Sequence, residues 1–323
     1  MTNSFFLTKW FLEGMQWVYN NVGDIVLTIL IWTLLIRALT IFSDIKTRKS
    51  SADMARIQPQ INKLQQKYKN DPQKLQMEQS KLMKKEGVSM FGSCLPLIIT
   101  MPLFFCFIYA FRAWGYEQVI RLLISDDPTK LFESFKWLWV NNIWQPDNGL
   151  SPVIQDAAAF LSTKNLDKLI FLDRNPEVWQ KLVDMGIAAV STVTQENGAV
   201  SNVYTFLNTD AAVAAYNSVL APCVDMYAGH NNGWFILPIL AGGLGFLSSW
   251  ISMKGQPKSG NEQAQTTSKV MMYMMPAMFF VCCLQANAAF SIYWVFSSVL
   301  MIIITFILNK KFSPAKNEME ETK

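Results

Sequence analysis

One stretch decides what this chain can become: Asp24 to Asp44, reading DIVLTILIWTLLIRALTIFSD. From Ile25 to Ser43 it is nearly all apolar, with Arg37 as its single full charge. As a helix it is roughly 28 Å long at about 1.5 Å per residue, enough to cross a bilayer core. An arginine in such a span costs about 2.5–3.5 kcal/mol on insertion scales, so its setting matters. Thr33, Arg37, Thr40 and Asp44 follow at spacings of four, three and four, one face of a helix. Two readings stand at this point. The face lines a wet cavity, or Arg37 snorkels to the headgroups near the end of the span.

The composition agrees with a membrane chain. Half of the 323 residues are hydrophobic, and charged residues fall to 16%, against about 25% in soluble domains. The apolar runs lack strand alternation, which leaves a polytopic helical bundle, since each span must satisfy its own backbone. The five cysteines contain no C-x-x-C pair and His230 is the one histidine, so neither a zinc nor a haem site is expected, nor any other cofactor.

Residues 1–22 read as an interfacial amphipathic helix, with Lys9, Glu13, Gln16 and Asn20 as its polar stripe. The first span is 23–45. Residues 46–88 carry eleven basic and four acidic side chains. Met54, Ile57, Ile61, Leu64 and Tyr68 make a coiled-coil seam, interrupted at Asn70-Asp71-Pro72 and resumed by Leu75 and Leu82. This predicts a helical hairpin, with Pro59 kinking its first arm. A second span follows at 89–112, then a long polar region, 113–233. Further spans are expected at 234–253, 270–285 and 288–309, with a loop at 254–269 and a tail at 310–323. Val270 to Asn309 is forty residues without a charge, too long for one span and enough for two short ones turning at Gln285-Ala286-Asn287. The positive-inside rule puts the basic hairpin, the 254–269 loop and the tail in the cytoplasm. The expectation is all-α, five transmembrane helices, N-out and C-in.

Several segments now taken together resemble the YidC-type membrane protein insertases. They are Arg37 in the first span, Gln58-Pro59 in the hairpin, and Gly92 to Pro102 (GSCLPLIITMP) opening the second span. Trp139 to Asp147 (WVNNIWQPD), Ile236 to Leu240 (ILPIL) and Ile292-Tyr293-Trp294 follow in the family's order. The resemblance implies five spans around a hydrophilic groove that opens to the cytoplasm and to lipid. Arg37 becomes the groove arginine, with Thr33, Thr40, Tyr293, Trp294 and Ser249 as groove residues. Trp294 stands where some members carry tyrosine. Two departures stand out: an insertion at 148–232, with helices predicted near 156–171, 177–192 and 210–220, and a short tail of mixed charge after Lys311.

The function this implies is insertion of newly made membrane proteins, by solvation rather than enzyme catalysis. A partly wet groove shortens the dry path for a polar segment, and Arg37 attracts its acidic residues. The partners it implies are nascent membrane proteins and the bilayer, with the Sec translocon, the signal-recognition machinery and the ribosome as family associates. No nucleic-acid recognition is expected. The rival reading is a small anion transporter or channel with Arg37 as the anion site. It lacks the internal repeat such transporters usually show.

Overall fold

A computed structural model describes residues 6–88, 95–194, 200–254 and 262–311. Gly92-Ser93-Cys94 of the family-like segment, Lys258, and the tail beyond Lys311 lie outside the described residues. The element order is α1 (Phe6–Val22), α2 (Ile25–Lys67), α3 (Pro72–Lys85), α4 (Leu95–Leu123) and α5 (Pro128–Glu133). Then come α6 (Ala157–Leu161), a 3-10 turn (Leu166–Lys168), α7 (Ile170–Arg174) and α8 (Pro176–Asp184). Strands β1 (Ala188–Thr194) and β2 (Val200–Phe206) precede α9 (Asp210–Asp225), α10 (Ile236–Lys254), α11 (Glu262–Gln285) and α12 (Ala288–Lys311).

Local chemistry sets these boundaries. The chain turns after α1, and Asp24 restarts it by accepting the Leu27 N–H at 2.7 Å, an N-cap for α2. Helix α2 then runs unbroken through the first apolar span, past Pro59, into the first arm of the hairpin. Among the described residues, three stretches are long and apolar enough to cross a membrane: Ile25–Lys46, Ile236–Met253 and Ala288–Leu308. Met272–Gln285 is a shorter apolar helix. Helix α11 begins at Glu262, inside the stretch expected as a loop, because no proline stands between that residue and Pro276 to stop it.

The contacts divide the chain into two compact units, one of residues 1–29, 105–238 and 282–292, the other of 30–104, 239–281 and 293–323. In the first, aromatic packing joins α1 to α4: Phe11 lies 4.5 Å from Phe107 and Tyr19 5.7 Å from Trp114, centroid to centroid. The predicted helix over 177–192 is corrected here. Helix α8 ends at Asp184, because Gly186 takes φ +73° while the Ile187 N–H returns to the Leu182 carbonyl. The β-branched run that follows pairs antiparallel with β2, Val190 opposite Tyr204 and Thr192 opposite Asn202. The fold therefore carries a β-hairpin and is mostly, not wholly, helical. The helix predicted over 156–171 is likewise broken, at Asn165 with its φ of +60°, whereas α9 matches the helix expected near 210–220 and extends it.

In the second unit the hairpin closes on Ile57, Ile61 and Val88, with Met54, Leu82 and Met83 packed around them. Asp71 caps its second arm through the Lys74 N–H at 3.0 Å. The apolar helices here are inverted relative to a soluble bundle. In α2, Leu34, Leu35, Leu39 and Phe42 are exposed while Thr33 is buried. In α12, Ile303, Phe306 and Ile307 are exposed while Ser297, Ser298 and Thr305 are buried. Apolar surface outside and hydroxyls inside suits lipid as the surrounding medium.

Candidate functional site

Helix α2 carries Arg37 at a half-buried position. Its guanidinium reaches α12, where Nη2 donates to the Ser297 hydroxyl and to the Ser297 carbonyl at 3.2 Å. Nη1 lies 3.8 Å from the Met301 sulfur. No carboxylate forms an ion pair with Arg37 among the described residues. The charge is therefore held by neutral oxygens and a thioether, which orient it without neutralising it.

The two helices present these groups by simple periodicity. Thr33, one turn before Arg37, is 1% exposed, and the Thr40 hydroxyl donates back to the Arg37 carbonyl at 3.3 Å. On α12, Tyr293, Ser297, Met301 and Thr305 recur every fourth residue, so they share one face. Tyr293 is buried and hydrogen-bonds the Ser297 side chain. Trp294 turns to an aromatic group instead, 4.2 Å from Phe279 and 5.1 Å from Phe104. Ser249 is half-buried on α10, and no described contact joins it to Arg37. Sequence reasoning missed Ser297 and Met301. The signal was present as the Ser297-Ser298 pair inside an apolar span, polar residues that need a partner in such surroundings.

Residues 17–316 match the model of a family described as 60Kd inner membrane protein. One stretch is 36% identical over 152 residues to the "Membrane protein insertase YidC" of Clostridium perfringens, covering 47% of this chain and 58% of that protein. Another is 42% identical over 95 residues to the protein of the same name from Clostridium tetani, covering 29% of this chain and 43% of that one. The Chlorobium limicola protein is 39% identical over 102 residues, covering 32% of this chain and 18% of that one. The chain belongs to the YidC family. It is a multi-pass bacterial membrane protein, and the matched stretches span about half or less of these curated relatives.

The YidC-like segment Trp139 to Asp147 has a clear structural task in the first unit. Asp147 is fully buried. Its carboxylate accepts the backbone N–H groups of Trp234 and, at 2.7 Å, Leu237, and the Trp139 indole N–H at 3.1 Å. An acid thus caps the start of α10, where unpaired N–H groups and the helix dipole favour negative charge. Gly233, at φ +73°, makes room for it; a Cβ there would lie 2.0 Å from the carboxylate. Asn232 completes the joint by donating to the carbonyls of Asn142, Gln145 and Pro146 and accepting the Asn142 N–H at 2.8 Å. The insertion leaves after Asn148 and returns at Asn232, where Gly149 N–H bonds the Asn232 carbonyl and Asn232 N–H the Ser151 carbonyl.

A second buried charge stands near the far end of α4. Glu117 accepts two hydrogen bonds from Arg121, at 2.9 and 2.7 Å, and one from Gln16 on α1. Burial nonetheless pushes its carboxyl up from the usual range, outweighing Arg121 and Gln16. Burial also pushes the Cys223 thiol up to about 11, with Asp127 adding to the effect.

Proposed function

We propose that this protein inserts newly made membrane proteins, and that Arg37 serves the arriving segment. Helices α2, α4, α10, α11 and α12 supply five spans, N-out and C-in, around a hydrophilic groove open to the cytoplasm. The observation that carries the reading is the guanidinium of Arg37: it stands inside an apolar helix, is oriented by Ser297, and has no ion-pair partner among the described residues. An acidic or polar segment losing water gains most from such a charge, because attraction rises as the local dielectric falls. Thr33, Thr40 and Tyr293 extend the polar face along the two helices, and Trp294 and Ser249 complete the groove residues. The client's apolar helix passes into lipid, driven by burial. The relatives' shared name, membrane protein insertase, supports the same reading. The basic hairpin gives the Sec translocon, the signal-recognition machinery or the ribosome a cytoplasmic surface.

The test is site-specific photo-crosslinking. A photoreactive residue at Thr33 is probed against stalled nascent chains of a small single-span protein. Crosslinks are expected once the nascent span has just emerged. Arg37→Ala should reduce them by roughly tenfold, equivalent to about 1.4 kcal/mol. An absence of crosslinks with the protein normally folded, together with anion flux in purified vesicles, would instead establish Arg37 as an anion site.

A further inference from the structure

The first unit contains a cavity of about 400 Å³ whose wall includes Gln145, Pro146 and Ser151 of the Asp147 joint. Helix α4 contributes Arg112, the Trp139–Asp147 segment contributes Trp144 and Gln145, the insertion contributes Gln155, and the turn before α12 contributes Asn287. No lining residue is acidic. Arg112 is exposed and enters no ion pair among the described residues. Trp144, only 4% exposed, forms part of the cavity wall.

These features select the ligand's charge and its size. One guanidinium with the amide donors of Gln145 and Gln155, and no carboxylate, suits an anion with several acceptor oxygens. A guanidinium fork matches phosphate in particular. The volume falls among those that hold molecules of headgroup size. The position adds the source, since Asn287 directly precedes Ala288, the first residue of a stretch able to cross a membrane. Ile108 gives the lining an apolar wall. We propose that this cavity binds a phosphate group, presented as the headgroup of an anionic phospholipid. The site is independent of client insertion and adds a specific lipid to a protein otherwise only immersed in the bilayer.

Native mass spectrometry of the full chain in detergent tests this, with phosphatidylglycerol, phosphatidylcholine and inorganic phosphate as the probes. The wild type should retain phosphatidylglycerol in preference to phosphatidylcholine. Arg112→Gln should weaken that retention by roughly tenfold, the loss of one charge-assisted bond. Gln155→Ala removes an amide donor from the lining and should weaken it several-fold. Lys130→Gln removes the same charge from an exposed position outside the cavity and should change nothing. Retention that survives millimolar inorganic phosphate assigns the site to the lipid. Displacement of the lipid by phosphate assigns it to the free ion and overturns the lipid source. Equal losses in Arg112→Gln and Lys130→Gln, or no loss in either, overturn the site itself.

Discussion

Arg37 and Glu117 are both charges drawn out of water, and the protein treats them in opposite ways. Glu117 is closed: its side chain is 5% exposed, and Arg121 and Gln16 occupy its oxygens. Arg37 is open: it is oriented by hydroxyl, carbonyl and sulfur, with no counter-charge among the described residues. The closed pair lies within α4, and Gln16 ties it to α1. An open charge keeps its attraction for something that arrives later. The contrast separates a structural ion pair from a candidate working one using geometry alone.

The largest effect should come from opening the closed pair. Arg121 is itself 45% exposed and stacks 4.4 Å from the Phe171 ring. Its removal strands Glu117, whereas removal of Glu117 leaves a cation that water can reach. Arg121→Ala should therefore cost about 3 kcal/mol in thermal or denaturant unfolding at pH 8, as for other broken buried pairs. It should cost less at pH 5 than at pH 8, because burial raises the Glu117 carboxyl and eases its neutralisation as pH falls. Glu117→Gln added to Arg121→Ala should recover much of the loss. If Arg121→Ala costs the same at both pH values, the charge stranded on Glu117 is not the source of the loss.

The open charge predicts a loss of activity without a loss of fold. Arg37→Ala should lower insertion of a single-span client in cells by roughly tenfold while leaving the unfolding midpoint near that of the wild type. Arg37→Lys should retain part of the activity, because it keeps the charge and loses the planar fork. A lowered midpoint in Arg37→Ala would move Arg37 into the closed class. Ser297→Ala tests orientation alone and should likewise leave the unfolding midpoint near that of the wild type, with activity reduced less than in Arg37→Ala.

The smallest effect is a pH dependence in the otherwise intact pair. Glu117 has a folded pKa raised by burial. Its contribution is present below the unfolded value of about 4.3 and is lost as pH rises through the folded value. Glu117→Gln cannot ionise. Its unfolding midpoint relative to the wild type should be higher at pH 8 than at pH 5, by a few degrees at most.

Much of this was legible in the sequence because it rests on local period. The polar face at Thr33, Arg37 and Thr40, the hairpin seam at Ile57 and Ile61, and the apolar stretch after Ala288 each follow from spacing within one helix. What was hidden lies in pairings that no local pattern records. Asp147 caps a helix ninety positions away along the chain, at Leu237, and Ser297 reaches Arg37 from a different span. The overlap of the expected helix, 177–192, with β1 arises because the alanines at the strand's start favour a helix, while its valines and threonines gain only from pairing with β2.

The stitch between Gly149 and Asn232 has an architectural consequence. Since the chain comes back to the place it left, the two ends of the insertion are fixed by the joint, while its body packs on α4 through Phe160 and Phe171 and on α1 through Arg174. The joint behaves as a socket. Closing a longer loop adds little entropy cost, about 0.6 kcal/mol per doubling of its length, so extra residues added within an exposed turn of the insertion, such as 228–230, leave Asp147 free to begin α10.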